Sequence, residues 1–197
     1  MTKRGERTRA RLIEATLAVV AEQGYARAST RAIADAAGVA EGALYRHFPD
    51  KTSLLFAAAL AGSPDVVAWV ESLTGRAGGE TVEANLVAAM ERLATMQDRV
   101  LPLEIAIRSD PELAAQRRAH VAGQGRLPGP PRAIAEYLAA EQRLGRVRSD
   151  IDPEEVAIMI LAMLFGLAIA AADDPAPLSS DRVASALHVL VRGILRS

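Results

Sequence analysis

TRAIADAAGVAEGALYRHFPDK, residues 30–51, holds two short helical periods separated by a glycine and closed by a capping aspartate. Ser29 or Thr30 can cap a helix that runs through Ala37. Gly38 then breaks the chain, a further helix spans about Glu41 to His47, and Asp50 caps another that starts at Lys51. Two helices that cross closely need a small residue at the contact. Ala34 supplies it, and Gly38 four residues later gives the turn. Ile33, Ala37, Val39, Leu44 and Phe48 close a small apolar core, which leaves Ala40, Glu41, Gly42, Ala43, Tyr45, Arg46 and His47 outside. A helix with small residues at its start and hydrogen-bonding ones at its end can enter the major groove of DNA.

Upstream, Leu12, Ile13, Leu17 and Val20 recur at helical spacing between roughly Thr8 and Gln23, with Thr16 on the same face. Gly24 follows where a left-handed C-terminal cap belongs. The charge is uneven. Residues 1–51 carry nine Lys and Arg against six Asp and Glu, a net of +3, while the rest carry 14 against 18, a net of −4. A basic head on an acidic body suits a protein whose one end approaches a polyanion. Lys3, Arg4, Arg7 and Arg9 form an arm suited to the DNA backbone or minor groove.

Downstream, three helices announce themselves by a capping residue followed by proline: Ser63-Pro64, Asp110-Pro111 and Asp152-Pro153. Periodicity predicts helices over about 64–74, 81–99, 101–109, 111–122, 131–145, 153–172 and 181–195. Gly75 to Glu80 and Gly123 to Pro131 read as loops, because their glycines and prolines cannot sustain a helix. Val156 to Ala172 is free of charge, yet it falls short of the roughly 20 residues of a membrane span and has acidic flanks, so it reads as a buried helix and no membrane partner is expected.

Half the residues are apolar and 4% are aromatic, with Ala and Leu dominant, which predicts an all-α fold. With no cysteine there are no disulfides, thiolate metal sites or cysteine nucleophiles, and a reducing cytoplasm fits. Gly123-Gln124-Gly125 imitates the start of a dinucleotide fingerprint but has Pro128 where the third glycine belongs. His47, His120 and His188 lie in separate segments without ligand spacing. No enzyme, metal site or cofactor is therefore expected.

The order of a basic arm, a helix ending at Gly24-Tyr25, Thr30-Arg31, Ile33-Ala34, Ala37-Gly38-Val39, Gly42-Ala43-Leu44-Tyr45-Arg46-His47-Phe48 and Asp50-Lys51-Thr52 resembles the DNA-binding signature of the TetR family over about residues 8–60. The resemblance implies a three-helix helix-turn-helix head, residues 1–51, and a helical effector and dimerisation bundle, residues 52–197. It implies phosphate contacts from Thr30, Arg31, Tyr45, His47 and Lys51, and it sets Glu41, Gly42, Ala43 and Arg46 near base edges. Physics agrees with most of these, but a carboxylate at Glu41 is repelled by DNA unless it accepts from cytosine.

The partners implied are double-stranded operator DNA, a second copy of the chain and an unidentified small-molecule effector. The apolar helix at 153–172 and the last helix, with Val183, Leu187, Leu190, Val191 and Ile194, have surplus apolar surface suited to a four-helix dimer interface, and a dimer implies a near-palindromic operator. Trp69, Met90, Leu93, Met96, Leu103, Ile107, Tyr137, Met159 and Met163 are candidates to line an effector pocket, with Glu104 or Arg108 as polar anchors. The expected role is a repressor that lets go when the effector makes the helix from Lys51 swing the heads out of register. The alternative is an activator, or a DNA binder without small-molecule control.

Overall fold

The computed structural model describes residues 3–124, 129–172 and 178–195. Among them, eleven α-helices follow one another, and the only extended pairing is an isolated antiparallel bridge between Val147 and Leu195. The helices are α1 Lys3–Gln23, α2 Thr30–Ala37, α3 Glu41–Leu44, α4 Lys51–Ala61, α5 Pro64–Glu71, α6 Val82–Ala94, α7 Gln97–Ser109, α8 Pro111–Gln124, α9 Pro130–Arg143, α10 Pro153–Ala172 and α11 Ser180–Arg192. A 3-10 turn covers Leu73–Arg76. They form two compact units, one of residues 1–62 and 98–125, the other of 63–97 and 126–197. The all-α expectation holds.

The first unit is built on α1. Leu12, Ala15, Thr16 and Val19 are its buried residues, spaced three and four apart, and Thr16 satisfies its hydroxyl by donating to the Leu12 carbonyl at 2.7 Å. The expected stripe is displaced by about one position, because Leu17 lies on the exposed side. The alanine at position 15 lets α2 come close, so the contact face follows small size rather than hydrophobicity alone. Ile33, Ala37, Leu44 and Phe48 join Leu12 and Val19 in one core, and Val39 packs against it. That core continues into Leu54, Leu55 and Ala59 of α4, Leu103 and Ile107 of α7 and Leu113 of α8.

The caps fall where side-chain chemistry places them. Ser29 Oγ accepts from Ala32 N–H at 3.1 Å, and Asp50 Oδ1 accepts from Ser53 N–H at 2.6 Å. Gly38 ends α2 with φ of 62°, and Val39 N–H reaches back to the Ala34 carbonyl at 3.0 Å. A Cβ at Gly38 would stand 3.0 Å from Arg11 Nη2, and that guanidinium donates to the Ala37 carbonyl at the negative end of α2. Gly38→Ala is therefore expected to cost about 1–2 kcal/mol through the left-handed backbone alone. Urea denaturation checks this; an unchanged midpoint would mean that the turn relaxes into another conformation.

Several boundaries differ from expectation: α5 stops at Glu71 rather than 74 and a 3-10 turn reaches into the loop expected from Gly75, and α11 ends at Arg192 rather than 195. Helical geometry in α3 stops at Leu44, and Tyr45 to His47 form a tighter turn in which His47 N–H bonds the Leu44 carbonyl at 2.9 Å. The break expected near Val100 comes at Thr95 and Met96, and Pro102 lies inside α7, where it removes one N–H from the ladder. The loop expected over 123–131 is described only at its ends, since residues 125–128 lie outside the described residues; Gly123 and Gln124 still belong to α8, and α9 begins at Pro130.

In the second unit α6 and α9 to α11 surround a core that includes Leu86, Met90, Ile134, Tyr137, Leu138, Ile160, Leu164, Val183 and Leu187. Two buried polar pairs hold it together. Tyr137 Oη accepts from Asn85 Nδ2 at 3.1 Å, and burial first, then the Glu141 carboxylate, pushes the phenol well above its ordinary value. The fully buried Glu141 accepts from Gly78 N–H at 3.3 Å and has Arg146 Nε at 3.4 Å. The loop over 75–80 is thus tied to α9 at Gly78 through Glu141, and to the turn after α9 at Glu80, whose carbonyl accepts from Arg146.

Candidate nucleic-acid interface

The residues singled out for DNA come from three places in the first unit: the N-terminus of α2, all of α3 with its following turn, and the N-terminus of α4. Arg31, Glu41, Gly42, Tyr45 and Arg46 are exposed; Thr30, Ala43, His47 and Lys51 are half-buried. Tyr45 is a large aromatic with 52% of its surface open, whereas its neighbours Leu44 and Phe48 are buried. At Gly42 nothing lies within 4 Å of where a Cβ would be, so the surface of α3 there is open.

Charge placement sets these helix ends apart. Helices α1, α3, α5 to α8, α10 and α11 each carry an acidic residue in the first turn, as the helix dipole favours. Helices α2 and α4 carry none and have Arg31 and Lys51 there instead; α9, with Arg132, is the remaining exception. A cation at a helix N-terminus costs a few tenths of a kcal/mol to about 1 kcal/mol. At the start of α2 the first-turn N–H groups and Arg31 together suit a phosphate, whereas at α4 the Asp50 carboxylate already caps the helix, so Lys51 is the group there that attracts one.

The basic arm is helical from Lys3 onward. Lys3, Arg4 and Arg7 are exposed, but Arg9 lies over the Phe48 ring at 5.0 Å and Arg11 holds the end of α2. Thr30 Oγ1 donates to Glu41 Oε1 at 2.5 Å and so joins the starts of α2 and α3. A separation of eleven residues across a turn matches no local side-chain rule, so only the fold reveals it.

The pocket candidates are dispersed. Met90, Leu93, Met96 and Tyr137 are buried in the second unit, and Leu103 and Ile107 in the core of the first. Trp69 is half-buried under the guanidinium groups of Arg76 and Arg92, at 4.5 and 4.1 Å. Met163 is half-buried and Met159 is 56% exposed. Of the polar anchors, Glu104 is largely buried and bonds Arg117 at 2.8 Å, while Arg108 is mostly exposed.

A tight two-helix turn on a left-handed glycine, held by a third helix and presenting Tyr45 and Arg46 between two cation-bearing helix ends, defines a helix-turn-helix DNA-binding regulator. Residues 12–58 match the family model of bacterial regulatory proteins, tetR family. The HTH-type transcriptional repressor Rv1474c of Mycobacterium tuberculosis is 29% identical over 96% of this chain and 94% of its own length. The HTH-type transcriptional repressor KstR of the same organism is 48% identical over 50 residues, 25% of this chain and 23% of that one. In fold, the chain is similar to Thermus thermophilus FadR, a TetR family transcriptional repressor in complex with lauroyl-CoA, with a TM-score of 0.66, 21% identity and 96% of each chain covered. Residues 12–58 thus carry the DNA-binding domain of the tetR family, and the chain is a DNA-binding transcriptional regulator.

Proposed function

We propose that the chain is a cytoplasmic repressor that binds a near-palindromic operator as a homodimer and releases it when a small apolar molecule binds the part after Lys51. The observation that carries the DNA half is the pair of cations, Arg31 and Lys51, at helix ends where the dipole disfavours them. Phosphate contacts from Thr30, Arg31, Tyr45, His47 and Lys51, and groove contacts from Glu41, Gly42, Ala43 and Arg46, belong to this reading. Residues 1–51 then serve as the DNA-binding part and 52–197 as the effector and dimer part. The similarity to a named repressor along nearly its full length supports repression over activation.

For the effector half, the site sits among Met90, Leu93, Met96 and Tyr137, whose buried methionines can shift to admit a ligand. The Thermus FadR structure, with its lauroyl-CoA, supports an effector that carries an apolar chain. Movement has a route to the DNA-reading helices inside the first unit. Thr52 of α4 bonds the Leu113 carbonyl at 3.5 Å, and Arg117 of α8 lies over Phe56 of α4 at 4.6 Å while it pairs with Glu104 of α7. A displacement of α7 or α8 therefore pulls on α4, which starts at Lys51.

The test is a salt titration of binding to the DNA flanking the chain's own gene, with scrambled DNA of equal length as control. Two protomers that each use Arg31 and Lys51 on phosphates should give a slope of about −4 in log K against log salt. An effector acting as proposed weakens binding roughly 5- to 150-fold. Equal weak binding to both DNAs overturns the operator reading.

A further inference from the structure

The carboxylate of Glu41, at the start of the helix offered to the groove, works against DNA binding. It is exposed at the start of α3, and every phosphate near it repels it. It is also held: the Thr30 hydroxyl spends its single proton on Glu41 Oε1, at 2.5 Å. Two things follow. The Thr30 side chain in this arrangement has no proton left for a phosphate, so its phosphate contact reduces to its backbone N–H, which lies in the first turn of α2 and has no intrahelical partner. And Glu41 is fixed by one oxygen while the other remains available.

An acceptor-only group in the major groove can be satisfied by few partners. Guanine and thymine present acceptors there, whereas cytosine presents its N4 amino group as a donor with no acceptor alongside. Adenine presents a donor next to the N7 acceptor, which faces a carboxylate with repulsion. From these observations we infer that Glu41 reads a cytosine in each half-site, by accepting from its N4 amino group, and that Thr30 is the positioning residue that aims it. This rests on the operator reading above. If the Thr30 bond were only a clamp between α2 and α3, it would be an exposed hydrogen bond worth about 0.5–1.5 kcal/mol. Such a clamp requires no charge, and a neutral side chain would serve it without repelling the duplex.

The experiment is selection of bound sequences from a randomised duplex pool by the full-length protein and by Glu41→Gln, Glu41→Ala, Thr30→Val and Thr30→Ser, with thermal melts to confirm folding. In the unaltered protein one symmetric position per half-site should favour cytosine roughly tenfold over other bases. Glu41→Ala should lose that preference alone and bind unrelated DNA more tightly, since a repelled charge is gone. Glu41→Gln should move the same position toward adenine, whose donor and acceptor pair a carboxamide matches. Thr30→Val should relax the preference that Glu41→Ala abolishes, and Thr30→Ser should keep it. Loss of stability in Glu41→Ala and Thr30→Val with base preferences unchanged overturns the inference and leaves the clamp. If the unaltered protein enriches no sequence at all, the operator reading falls and this inference with it.

Discussion

Replacing Tyr45 and Lys51 together by alanine should lower operator affinity by roughly a thousandfold or more without unfolding the protein. A hydrogen bond to a charged phosphate is worth about 1.5–3 kcal/mol, and a dimer loses each contact twice. Four such contacts at the lower end sum to about 6 kcal/mol, and each 1.4 kcal/mol is tenfold, so coupling among them leaves ample room for the stated loss. The fold should tolerate both changes. Tyr45 is 52% exposed and has buried neighbours on either side to hold the turn. Lys51 sits in the first turn of α4 against the dipole, so its removal is neutral or slightly stabilising. The salt slope should become shallower by about 2, one Lys from each protomer. An affinity loss of less than tenfold at an unchanged slope would place the DNA elsewhere on the chain.

The head was legible in the sequence because its rules are local. Ser29, Gly38 and Asp50 act on backbone groups within a few residues of themselves, and caps depend on little else. The same holds for Pro64, Pro111 and Pro153, each of which begins a helix. Periodicity was less exact. It grouped Leu17 with Leu12, but α1 buries Ala15 and Val19 instead, since a helix crossing is decided by what its partner can approach. The packing of α7 and α8 into the core of the first unit, through Leu103, Ile107 and Leu113, joins residues about fifty positions from α4 and leaves no trace in spacing. The site shows the same division. Its exposed residues were named from the motif, whereas the Thr30–Glu41 bond and the Arg9–Phe48 stacking depend on how the chain turns back.

The second large effect is expected at the outer face of α10. Val156, Ala157, Ile160, Leu164 and Ala168 bury one stripe of this helix in the second unit. A second stripe, Ile158, Met159, Ala162, Gly166 and Ile169, is exposed although nearly all of it is apolar, and on α11 Val189 is 75% exposed. Length and composition alone would let Pro153–Ala171 cross a membrane. The packed inner stripe and the acidic start at Asp152, Glu154 and Glu155 argue instead for a protein partner, and a two-fold mate offers the same face in return. Ile158→Arg places an unpaired charge twice in such an interface, at a cost of about 3–5 kcal/mol for each. The dissociation constant of the dimer should rise by at least roughly a thousandfold, which sedimentation at micromolar concentration reads as monomer. Operator affinity should fall at least about a hundredfold with it, because the second head no longer arrives at the high effective concentration that the first one provides. The thermal melt of the monomer should retain its helical signal, since Ile158 lies outside the core. A variant that stays dimeric moves the interface away from α10, and a variant that is monomeric yet binds the full operator as before removes dimerisation from the mechanism.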